Sequence, residues 1–468
     1  MNLAELREFA ERGVIRADRM RAVEGNAMAL GLSALQMMES AGAALARTVL
    51  EYRPSRVLIL CGRGNNGGDG MAAARYLQGC VETDVIWLAD GPATKETDAQ
   101  RALLTHSAAA LHPMVCAEDP RKLRNLFTQA DVIVDAMLGT GALGVPREPL
   151  GTAVALANES GAHRVSADVP TPGIIPARIL AFHRPKGAGA EVADIGIPLE
   201  AEVFTGPGDL TLVPRRPPAA HKGQAGEVLV IGGGPYQGAP YLAGLGALRA
   251  GADLVRIASP VFEPIPDLIS TRLEGKRIGE EHLETLVPLA EKADVVVCGN
   301  GLGQESHGVV QALAPHFRKA VFDADAIRLP LPVAKEAVYT PHAGEFERMT
   351  SKKTPMLLPA RGKAVRAAAG NGTILLKGPV DVISDGARVR FNRTGSPSMA
   401  VAGTGDVLAG VTGALLCRLP AFDAACIAAY VNGAAGTLAA STRGDGMLAT
   451  DLLDRIPEVL FGGMGRDA

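Results

Sequence analysis

The sequence predicts an α/β protein with two domains, and three observations support this. Short apolar runs end in glycine-rich turns, at residues 57–61, 132–134, 228–231, 295–298 and 374–376. Helix-like stretches follow such turns, as at residues 71–78 and 239–250. The 468 residues also exceed what a single hydrophobic core usually contains. Short continuous apolar runs are typical of parallel strands buried on both faces, so we expect layered domains with ligands at the carboxyl ends of the strands.

The composition is that of an ordinary globular protein, with 47% hydrophobic and 21% charged residues. A net charge of -3 gives no reason to expect a nucleic acid or a membrane as partner. The six cysteines form no CxxC pair and the first 20 residues contain no apolar signal segment, so we expect reduced thiols and a cytoplasmic location. The uncharged run at residues 424–442 contains Asn432 and predicts a buried core helix rather than a membrane span.

The predicted domain boundary lies in a proline-rich segment at residues 213–219, VPRRPPA. Three prolines and two arginines in this segment continue neither a strand nor a helix. A new apolar run follows shortly afterwards. We therefore expect one domain at residues 1–213 and a second at residues 219–468.

The densest signal in the first domain is the segment GRGNNGGDG at residues 62–70. Its five glycines predict positive φ angles and a backbone without Cβ atoms, so that successive N–H groups can hold a phosphate before the following helix. Asn65 and Asn66 add polar side chains. The segment is neither the GxGxxG of hydride-transfer enzymes nor a P-loop. The alternative is a tight strand-to-helix turn without a ligand.

Two further turns carry an aspartate at or near the end of an apolar strand. They are DAMLGTGALG at residues 135–144, which begins with Asp135, and ADVPTPG at residues 167–173, which contains Asp168. The carboxyl ends of strands are where α/β proteins bind their ligands. Aspartates at such positions can also cap helices or form turns, so this alternative stays open.

The segments GRGNNGGDG, DAMLGTG and DVPTPG, in this order, resemble the YjeF N-terminal domain family, the NAD(P)H-hydrate epimerases. Residues 31–42 (GLSALQMMESAG), 182–187 (FHRPKG) and 194–198 (DIGIP) extend the resemblance over about residues 1–200. It implies a Rossmann-like three-layer αβα sandwich that interconverts the R and S forms of hydrated NADH and NADPH, here called NADHX and NADPHX.

The same resemblance implies the site residues of this domain. It places dinucleotide contacts on Asn65, Asn66, Gly67, Gly68, Asp69, Gly139, Thr140, Gly141, Ala142, Leu143, Gly144 and Asp168. It places a potassium site on Asn66, Asp135 and Thr171. Thr171 stands where the family usually has serine, which preserves the hydroxyl, and Pro172 stands where it has glycine. Epimerisation at C6 of the hydrated ring requires proton transfer, and Asp168 is the candidate acid or base.

The densest signal in the second domain is at residues 392–410. Gly403, Thr404 and Gly405 precede an apolar helical stretch, which predicts an anion hole of backbone N–H groups at a helix N-terminus. Asp406 lies in the first turn, where a carboxylate can take the proton of an attacking hydroxyl while the amides stabilise the transferred phosphoryl group. The alternative is a capping aspartate beside incidental glycines.

GTGD at the start of a helix resembles the ribokinase-like fold. Other segments resemble the YjeF C-terminal domain, the ADP-dependent NAD(P)H-hydrate dehydratases, over nearly all of residues 215–460. These segments are GGGPYQGAP (232–240), ALRAGADLV (247–255), GNGLG (299–303), DAD (323–325), TPHAGEF (340–346) and LKGPVDV (376–382). One departure is GSPS at residues 395–398, where the family often has GNPG.

This second resemblance also implies site residues. Substrate contacts fall on Ala239, Gly303, His342 and Asp406. The adenine nucleotide falls on Lys377, Gly378, Pro379, Val380, Asp381, Gly403, Thr404 and Gly405. A lone histidine is usually structural and a lone lysine is usually solvated; the segments around His342 and Lys377 favour ligand contact instead.

The sequence therefore predicts a bifunctional enzyme that repairs NADHX and NADPHX. We expect ADP or ATP as co-substrate, Mg²⁺ on its phosphates, K⁺ in the epimerase domain and a homo-oligomer. One alternative is a ribokinase-type small-molecule kinase with a non-catalytic N-terminal binding domain. A second is a first domain that serves only as a scaffold or ligand-binding partner.

Overall fold

The computed structural model describes residues 1–141, 144–219, 221, 223–370 and 372–462. Its chain forms two compact units. The N-terminal unit comprises Arg12–Pro198, and the C-terminal unit comprises Met1–Glu11 together with Leu199–Ala468.

Seven strands form the sheet of the N-terminal unit. In chain order they are β1 (Arg56–Cys61), β2 (Glu82–Leu88), β3 (Ala110–Met114), β4 (Val132–Ala136), β5 (His163–Ala167), β6 (Arg178–Phe182) and β7 (Glu191–Ala193). They lie in the order β3-β2-β1-β4-β5-β6-β7, and all neighbouring pairs are parallel.

Nine strands form the sheet of the C-terminal unit. They are β8 (Glu227–Ile231), β9 (Leu254–Ser259), β10 (Ile269–Arg272), β11 (Val295–Cys298), β12 (Lys319–Phe322), β13 (Glu336–Tyr339), β14 (Thr373–Leu376), β15 (Asp381–Ser384) and β16 (Val389–Asn392). Their order is β10-β9-β8-β11-β12-β13-β14-β15-β16. The pairs from β10 to β14 are parallel, whereas β15 is antiparallel to both of its neighbours.

The α-helices of the described residues are numbered in chain order. They are α1 (Leu3–Phe9), α2 (Ala17–Ala29), α3 (Ala34–Leu50), α4 (Asn65–Leu77), α5 (Lys95–Leu104), α6 (Glu118–Lys122), α7 (Arg124–Gln129), α8 (Leu150–Glu159), α9 (Leu199–Val203), α10 (Ala239–Arg249), α11 (Leu283–Lys292), α12 (His307–Leu313), α13 (Ala343–Thr350), α14 (Leu358–Ala368), α15 (Thr404–Leu416), α16 (Ala421–Arg443) and α17 (Ala449–Phe461).

Each sheet has helices on both faces because its central strands are apolar on both faces. In β1, Leu58 and Leu60 share a buried cluster with residues of α7 and α8, while Ile59 and Cys61 face α4 on the opposite side. In β8, the alternate valines pack with α10, α15 and α16, whereas Leu229 and Ile231 pack with α11, α12 and α14. Both units are thus three-layer αβα sandwiches, which confirms the predicted fold class.

The compact units begin and end at different residues from the predicted 1–213 and 219–468, because apolar side chains from both ends of the first segment lie in the core of the C-terminal unit. The Phe9 ring packs edge-on against Phe391 at 5.1 Å, and Phe204 belongs to the same buried cluster. Asp209 accepts two hydrogen bonds of 2.8 Å from the buried guanidinium of Arg390. α1, α9 and the 3-10 helix Pro207–Leu212 therefore complete the second unit.

The predicted core helix at residues 424–442 lies within α16 and is confirmed. By length and hydropathy, Ala421–Gly446 could cross a membrane, but 67% of its apolar window is buried inside the protein. Its alanines and Ile427 belong to the hydrophobic cluster that covers one face of the second sheet. Its apolar character is therefore accounted for by packing within the C-terminal unit.

Candidate active sites

A cavity of about 980 Å³ lies at the carboxyl ends of β1, β2 and β4. In the sheet, β1 lies between β2 and β4, and the strand order reverses at this point. Open α/β sheets bind their ligands where the strand order reverses. The loops after β1 and β4 touch, since the Gly62 N–H donates to the Ala136 carbonyl at 3.0 Å. The predicted residues that line the cavity are Asn65, Asn66, Asp69, Gly139, Thr140, Gly141, Gly144 and Asp168. Ala142 and Leu143 lie outside the described residues.

The glycine-rich segment has a different conformation from the predicted one. α4 already begins at Asn65, and none of the five glycines between residues 62 and 70 has a positive φ. Four of them, all except Gly64, are instead sites of close approach: a Cβ at Gly68 would lie 2.5 Å from the Met38 methyl carbon, and one at Gly70 would lie 2.7 Å from Ala136 Cβ. Gly67 and Gly68 are buried in the helix and do not line the cavity. The prediction of positive φ angles was wrong because close packing of α4, rather than turn geometry, requires glycine here.

Asp168 lines the cavity and is paired with a buried lysine. It has a left-handed φ of 62°, which is uncommon for residues other than glycine. Its Oδ1 accepts hydrogen bonds from Lys186 Nζ at 2.5 Å and from the Phe182 N–H at 3.1 Å. Lys186 also donates to the Phe182 carbonyl at 2.6 Å, and only 5% of its side chain is exposed. Asp168 and Lys186 thus form a largely buried ion pair in the wall of the cavity.

The other acidic side chains that line the same cavity include Glu24 from α2 and Asp69 from α4. Burial raises the pKa of Asp69 well above its ordinary value, and the nearby charges of Asp168 and Glu24 act in the same direction. Burial likewise raises the pKa of Glu24. The cavity thus combines two carboxyl groups whose pKa values are raised, Glu24 and Asp69, with a third, Asp168, that is paired with a lysine, which is a suitable arrangement for acid–base chemistry.

Of the three residues predicted to hold potassium, Asn66 lines this cavity, while Asp135 and Thr171 are buried and connect to Asn66 through Leu138, whose N–H donates to the Thr171 hydroxyl at 3.1 Å. The Thr171 hydroxyl donates to Asp135 Oδ1 at 2.6 Å, and Thr171 N–H donates to Oδ2 at 2.8 Å. The Asn66 amide donates to the Leu138 carbonyl at 2.9 Å, which leaves its buried Oδ1 without a hydrogen-bond partner among the described residues. An unsatisfied amide oxygen, a carboxylate and a hydroxyl are hard oxygen ligands of the kind that alkali cations take.

In the C-terminal unit, the residues predicted to form an anion hole lie where α15 begins. Gly403 caps the helix with a left-handed φ of 98°, and a Cβ there would lie 2.5 Å from Leu242 Cδ1. Thr404 is the first residue of the helix and Asp406 lies in its first turn. The first N–H groups of a helix have no partner inside it, so they can stabilise an anion beside Asp406.

A buried polar chain connects Asp406 to Lys377. Asn300 donates from its Nδ2 to Asp406 Oδ1 at 2.7 Å and to Asp323 Oδ2 at 3.0 Å. Lys377 Nζ and the Thr340 hydroxyl each donate to Asp323 Oδ1 at 2.8 Å. Lys377 also lies beside the anion hole, since a Cβ at Gly405 would be 3.3 Å from its Nζ. These residues come from the ends of four strands and the start of one helix.

The environment of Asp406 prepares it for proton transfer near neutral pH. Partial burial and the neighbouring charge of Asp323 raise the pKa of Asp406 to about 7, against the opposing effects of the Asn300 hydrogen bond and Lys377. Burial alone would lower the pKa of Lys377, but the carboxylates of Asp323 and Glu345 raise it overall. The lysine therefore stays cationic next to the anion hole.

The other predicted residues of this unit lie at neighbouring strand ends. Ala239 begins α10 after β8 and lies close to the loop after β11, because a Cβ at Gly301 would be 3.1 Å from its Cβ. The Gly303 N–H donates to Asp325 at 2.9 Å. His342 caps α13: its Nδ1 accepts from the Glu345 N–H at 3.2 Å, and its side chain is 57% exposed. A capping role and a ligand role are thus both open to this histidine.

The predicted nucleotide segment Lys377–Asp381 connects β14 to β15. Gly378 and Pro379 are exposed, whereas Asp381 accepts hydrogen bonds of 2.9 Å from the Gly378 N–H and from Asn392 Nδ2. Burial raises the pKa of Asp381 to about 6. These contacts hold the loop beside the sheet while its exposed glycine and proline face outward.

Comparison with known proteins assigns the two units to known families. A family model described as NAD(P)H-hydrate dehydratase matches residues 228–458, and one described as YjeF-related protein N-terminus matches residues 34–174. A protein of Methanospirillum hungatei, named bifunctional NAD(P)H-hydrate repair enzyme Nnr, is 53% identical over 98% of this chain and 96% of its own length. Proteins of the same name from Pyrobaculum aerophilum and Archaeoglobus fulgidus are 42% and 40% identical, each over 94% of this chain and 97% of their own lengths.

The chain belongs to the bifunctional NAD(P)H-hydrate repair enzymes. The two resemblances inferred from its motifs are thereby confirmed. Since the relatives align over nearly the whole chain, both units share this ancestry.

Sequence reasoning missed four residues that the structure places in these sites. Asn300 and Asp323 follow β11 and β12, and Lys186 follows β6, so the strand-end rule applied to Asp135 and Asp168 would have found all three. The segments that contain these three residues carried the family resemblance, but the residues themselves were assigned no function. Glu24 lies in the middle of α2, and no local pattern distinguishes it from a surface glutamate.

Proposed function

We propose that the N-terminal unit interconverts the R and S hydrates of NADH and NADPH, and that the C-terminal unit dehydrates the S form with ADP or ATP. The observation that carries this proposal is the relationship at 53% identity across both units to an enzyme named for NAD(P)H-hydrate repair, combined with one acid–base site in each unit. The resemblance of the second unit favours ADP.

In the epimerase site, we assign Asp168 as the base and Asp69 as the acid. Asp168 takes the proton of the C6 hydroxyl, the C6–N1 bond breaks to leave an aldehyde, and Asp69 supplies a proton to N1. Rotation about the C5–C6 bond presents the other aldehyde face, and the reverse steps close the ring in the opposite configuration. Lys186 balances the charge of Asp168, and the helix N-terminus at Asn65 accommodates the pyrophosphate.

The chemistry of the Asn66, Asp135 and Thr171 donors fits potassium. Asn66 Oδ1, the Asp135 carboxylate and the Thr171 hydroxyl would hold the ion, and its charge would stabilise the phosphates of the dinucleotide. Thr171 supplies the hydroxyl that serine supplies in the family. Pro172 does not prevent this, because the Thr171 hydroxyl and N–H both contact Asp135.

In the dehydratase site, Asp406 takes the proton of the C6 hydroxyl as the hydroxyl oxygen attacks the terminal phosphorus of the nucleotide, and the bond from that phosphorus to the bridging oxygen breaks to release AMP from ADP, or ADP from ATP. The amides at the start of α15 and Lys377 stabilise the transferred phosphoryl group. The N1 lone pair then expels phosphate, and loss of a proton from C5 restores the dihydronicotinamide. Among the described residues no group of three acidic, His or Cys side chains could hold a metal ion, so Mg²⁺ would bind mainly through the phosphates, as is common for this ion.

The proposal is tested by incubating the full chain with purified R-NADHX. Without nucleotide, chromatography should show conversion to the S epimer above the uncatalysed background. With ADP added, all of the hydrate should return to NADH with release of free phosphate and AMP. A phosphorylated organic product would instead indicate a small-molecule kinase, and failure to convert the R epimer would reject the epimerase assignment.

A further inference from the structure

The cavity of the N-terminal unit contains an ion pair, Arg63 with Asp90, that neither resemblance assigned to the site. The Arg63 guanidinium lies 3.3 Å from the Asp90 carboxylate, and both side chains line the cavity. Arg63 is the second residue after β1 and Asp90 is the second after β2. These two strands are parallel neighbours, so the pair stands at the carboxyl edge of the sheet.

Local packing fixes the arginine in this position. The Thr94 N–H donates to the Arg63 carbonyl at 3.0 Å, which ties the loop after β2 to the loop after β1. A Cβ on Gly91 would lie 2.2 Å from Arg63 Nη1, so the guanidinium passes directly over this glycine. The absence of a side chain at residue 91 therefore makes room for the arginine beside Asp90.

The position of Asp90 has a known physical meaning in sheets of this order. In dinucleotide-binding units with the strand order 3-2-1-4-5-6, the pyrophosphate lies at the helix that follows the first strand. An acidic residue about 20 positions beyond the glycine turn then binds the ribose 2′-hydroxyl. Here the sheet order begins β3-β2-β1-β4, α4 starts at Asn65, and Asp90 follows the glycine segment at the end of the second strand.

We propose that Asp90 and Arg63 form the subsite for the adenosine ribose and determine the preference of the epimerase between NADHX and NADPHX. This inference rests on the proposed epimerase function and adds its substrate preference. Asp90 accepts a hydrogen bond from the 2′-hydroxyl of NADHX and repels the 2′-phosphate of NADPHX, so the unmodified enzyme prefers NADHX.

The ion pair makes this preference adjustable rather than absolute. About a third of each side chain is exposed, at 38% for Arg63 and 35% for Asp90, and ion pairs this exposed are weak. A bound ribose can therefore replace the contact at little cost. Without Asp90, the Arg63 guanidinium is free to pair with a 2′-phosphate, which arginine binds in two-pronged geometry.

The test compares kcat/KM for R-NADHX and R-NADPHX in the full chain without nucleotide, so that only epimerisation is measured. Asp90→Ala and Asp90→Asn should each raise the NADPHX-to-NADHX ratio by about tenfold or more. Arg63→Ala should lower NADPHX turnover more than NADHX turnover. Glu159→Ala, which removes an exposed ion pair with Arg124 elsewhere in the same unit, is the matched control and should leave the ratio unchanged.

Two results would overturn the inference: a wild-type preference for NADPHX, or active Asp90 and Arg63 variants that keep the wild-type ratio. Binding of NADH and NADPH to the same variants gives a readout independent of catalysis. If the wild type epimerises neither hydrate, the proposed function fails. In that case, a higher ratio of NADPH affinity to NADH affinity in Asp90→Ala than in the wild type would support the ribose subsite without the epimerase function. An unchanged affinity ratio would reject the subsite.

Discussion

Asn300 donates a 2.7 Å hydrogen bond to the carboxylate of Asp406 and, from the same nitrogen, a 3.0 Å bond to Asp323. This amide is fully buried, and its Oδ1 has no hydrogen-bond partner among the described residues. It therefore fixes two carboxyl groups side by side, and after burial the charge of Asp323 is the next cause of the raised pKa of Asp406.

The first prediction concerns the pH dependence of dehydration. Burial and Asp323 raise the pKa of Asp406 to about 7, and the base acts only when it is deprotonated. We therefore expect kcat/KM for S-NADHX to rise with pH up to about 7 and then level off. Because the Asn300 hydrogen bond lowers this pKa, Asn300→Ala should move the rising limb to higher pH.

Thr340→Val is the control for this shift, since Thr340 bonds to Asp323 and not to Asp406. In Thr340→Val, the pH at which kcat/KM rises should stay much closer to the wild-type value than it does in Asn300→Ala. Two results would contradict the role assigned to Asn300 and Asp406. One is a wild-type kcat/KM that rises at the ordinary pKa of aspartate, and the other is a pH profile of Asn300→Ala that coincides with the wild-type profile.

The second prediction concerns Lys186 in the epimerase site. Lys186→Met keeps the length of the side chain but removes the ammonium that lies 2.5 Å from Asp168. R-to-S conversion should fall by about 10²-fold, because the base Asp168 loses the partner that holds it in place, and a positioned acid or base contributes a factor of this size. Nucleotide-dependent dehydration of the S epimer should be unchanged. Lys95→Met, at a lysine whose side chain is 92% exposed, serves as the control, and equal rates in the two variants would argue against the assignment.

The third prediction separates close packing from turn geometry in the glycine-rich segment. A Cβ at Gly62 would lie 1.7 Å from the Met137 carbonyl oxygen, so Gly62→Ala must push apart the loops after β1 and β4. We expect a loss of about 1–3 kcal/mol of stability, as is usual for overpacking. At Gly64 a Cβ would meet nothing within 4 Å, so Gly64→Ala should cost less than about 1 kcal/mol, mainly from its capping position. Thermal unfolding of both variants checks this, and equal losses would be inconsistent with the packing explanation.

Much of the fold could be predicted from the sequence because buried parallel strands are continuous apolar runs. Residues 57–61, 132–134, 228–231, 295–298 and 374–376 all lie within strands. The antiparallel pairing of β15 and β16 and the place of α1 in the second unit could not be predicted. A short apolar run has the same sequence pattern whether its strand is parallel or antiparallel to its neighbours. The contact between Phe9 and Phe391, which places α1, joins residues that are far apart in the chain.

The sites were predictable where function is concentrated in a local motif. Asp168 and Asp406 stand in such motifs, and the structure places each beside groups suited to proton transfer. Glu24 and the Arg63–Asp90 pair depend on which elements become neighbours, and local sequence does not encode this. The glycines of residues 62–70 were recognised as important, but their reason lies in the packing of α4 against Met38 and Ala136.

The most direct test of the central claim is the rate at which Asp406→Asn converts S-NADHX to NADH with ADP, followed by the absorbance of the reduced nicotinamide and by free phosphate. The account predicts a loss of at least about 10³-fold, because the base that activates the C6 hydroxyl is removed. R-to-S conversion without nucleotide should continue at the wild-type rate, and a thermal unfolding profile that matches the wild type shows that the C-terminal unit of the variant is folded. Near-normal release of NADH and phosphate by Asp406→Asn would contradict the assignment of this carboxylate as the base.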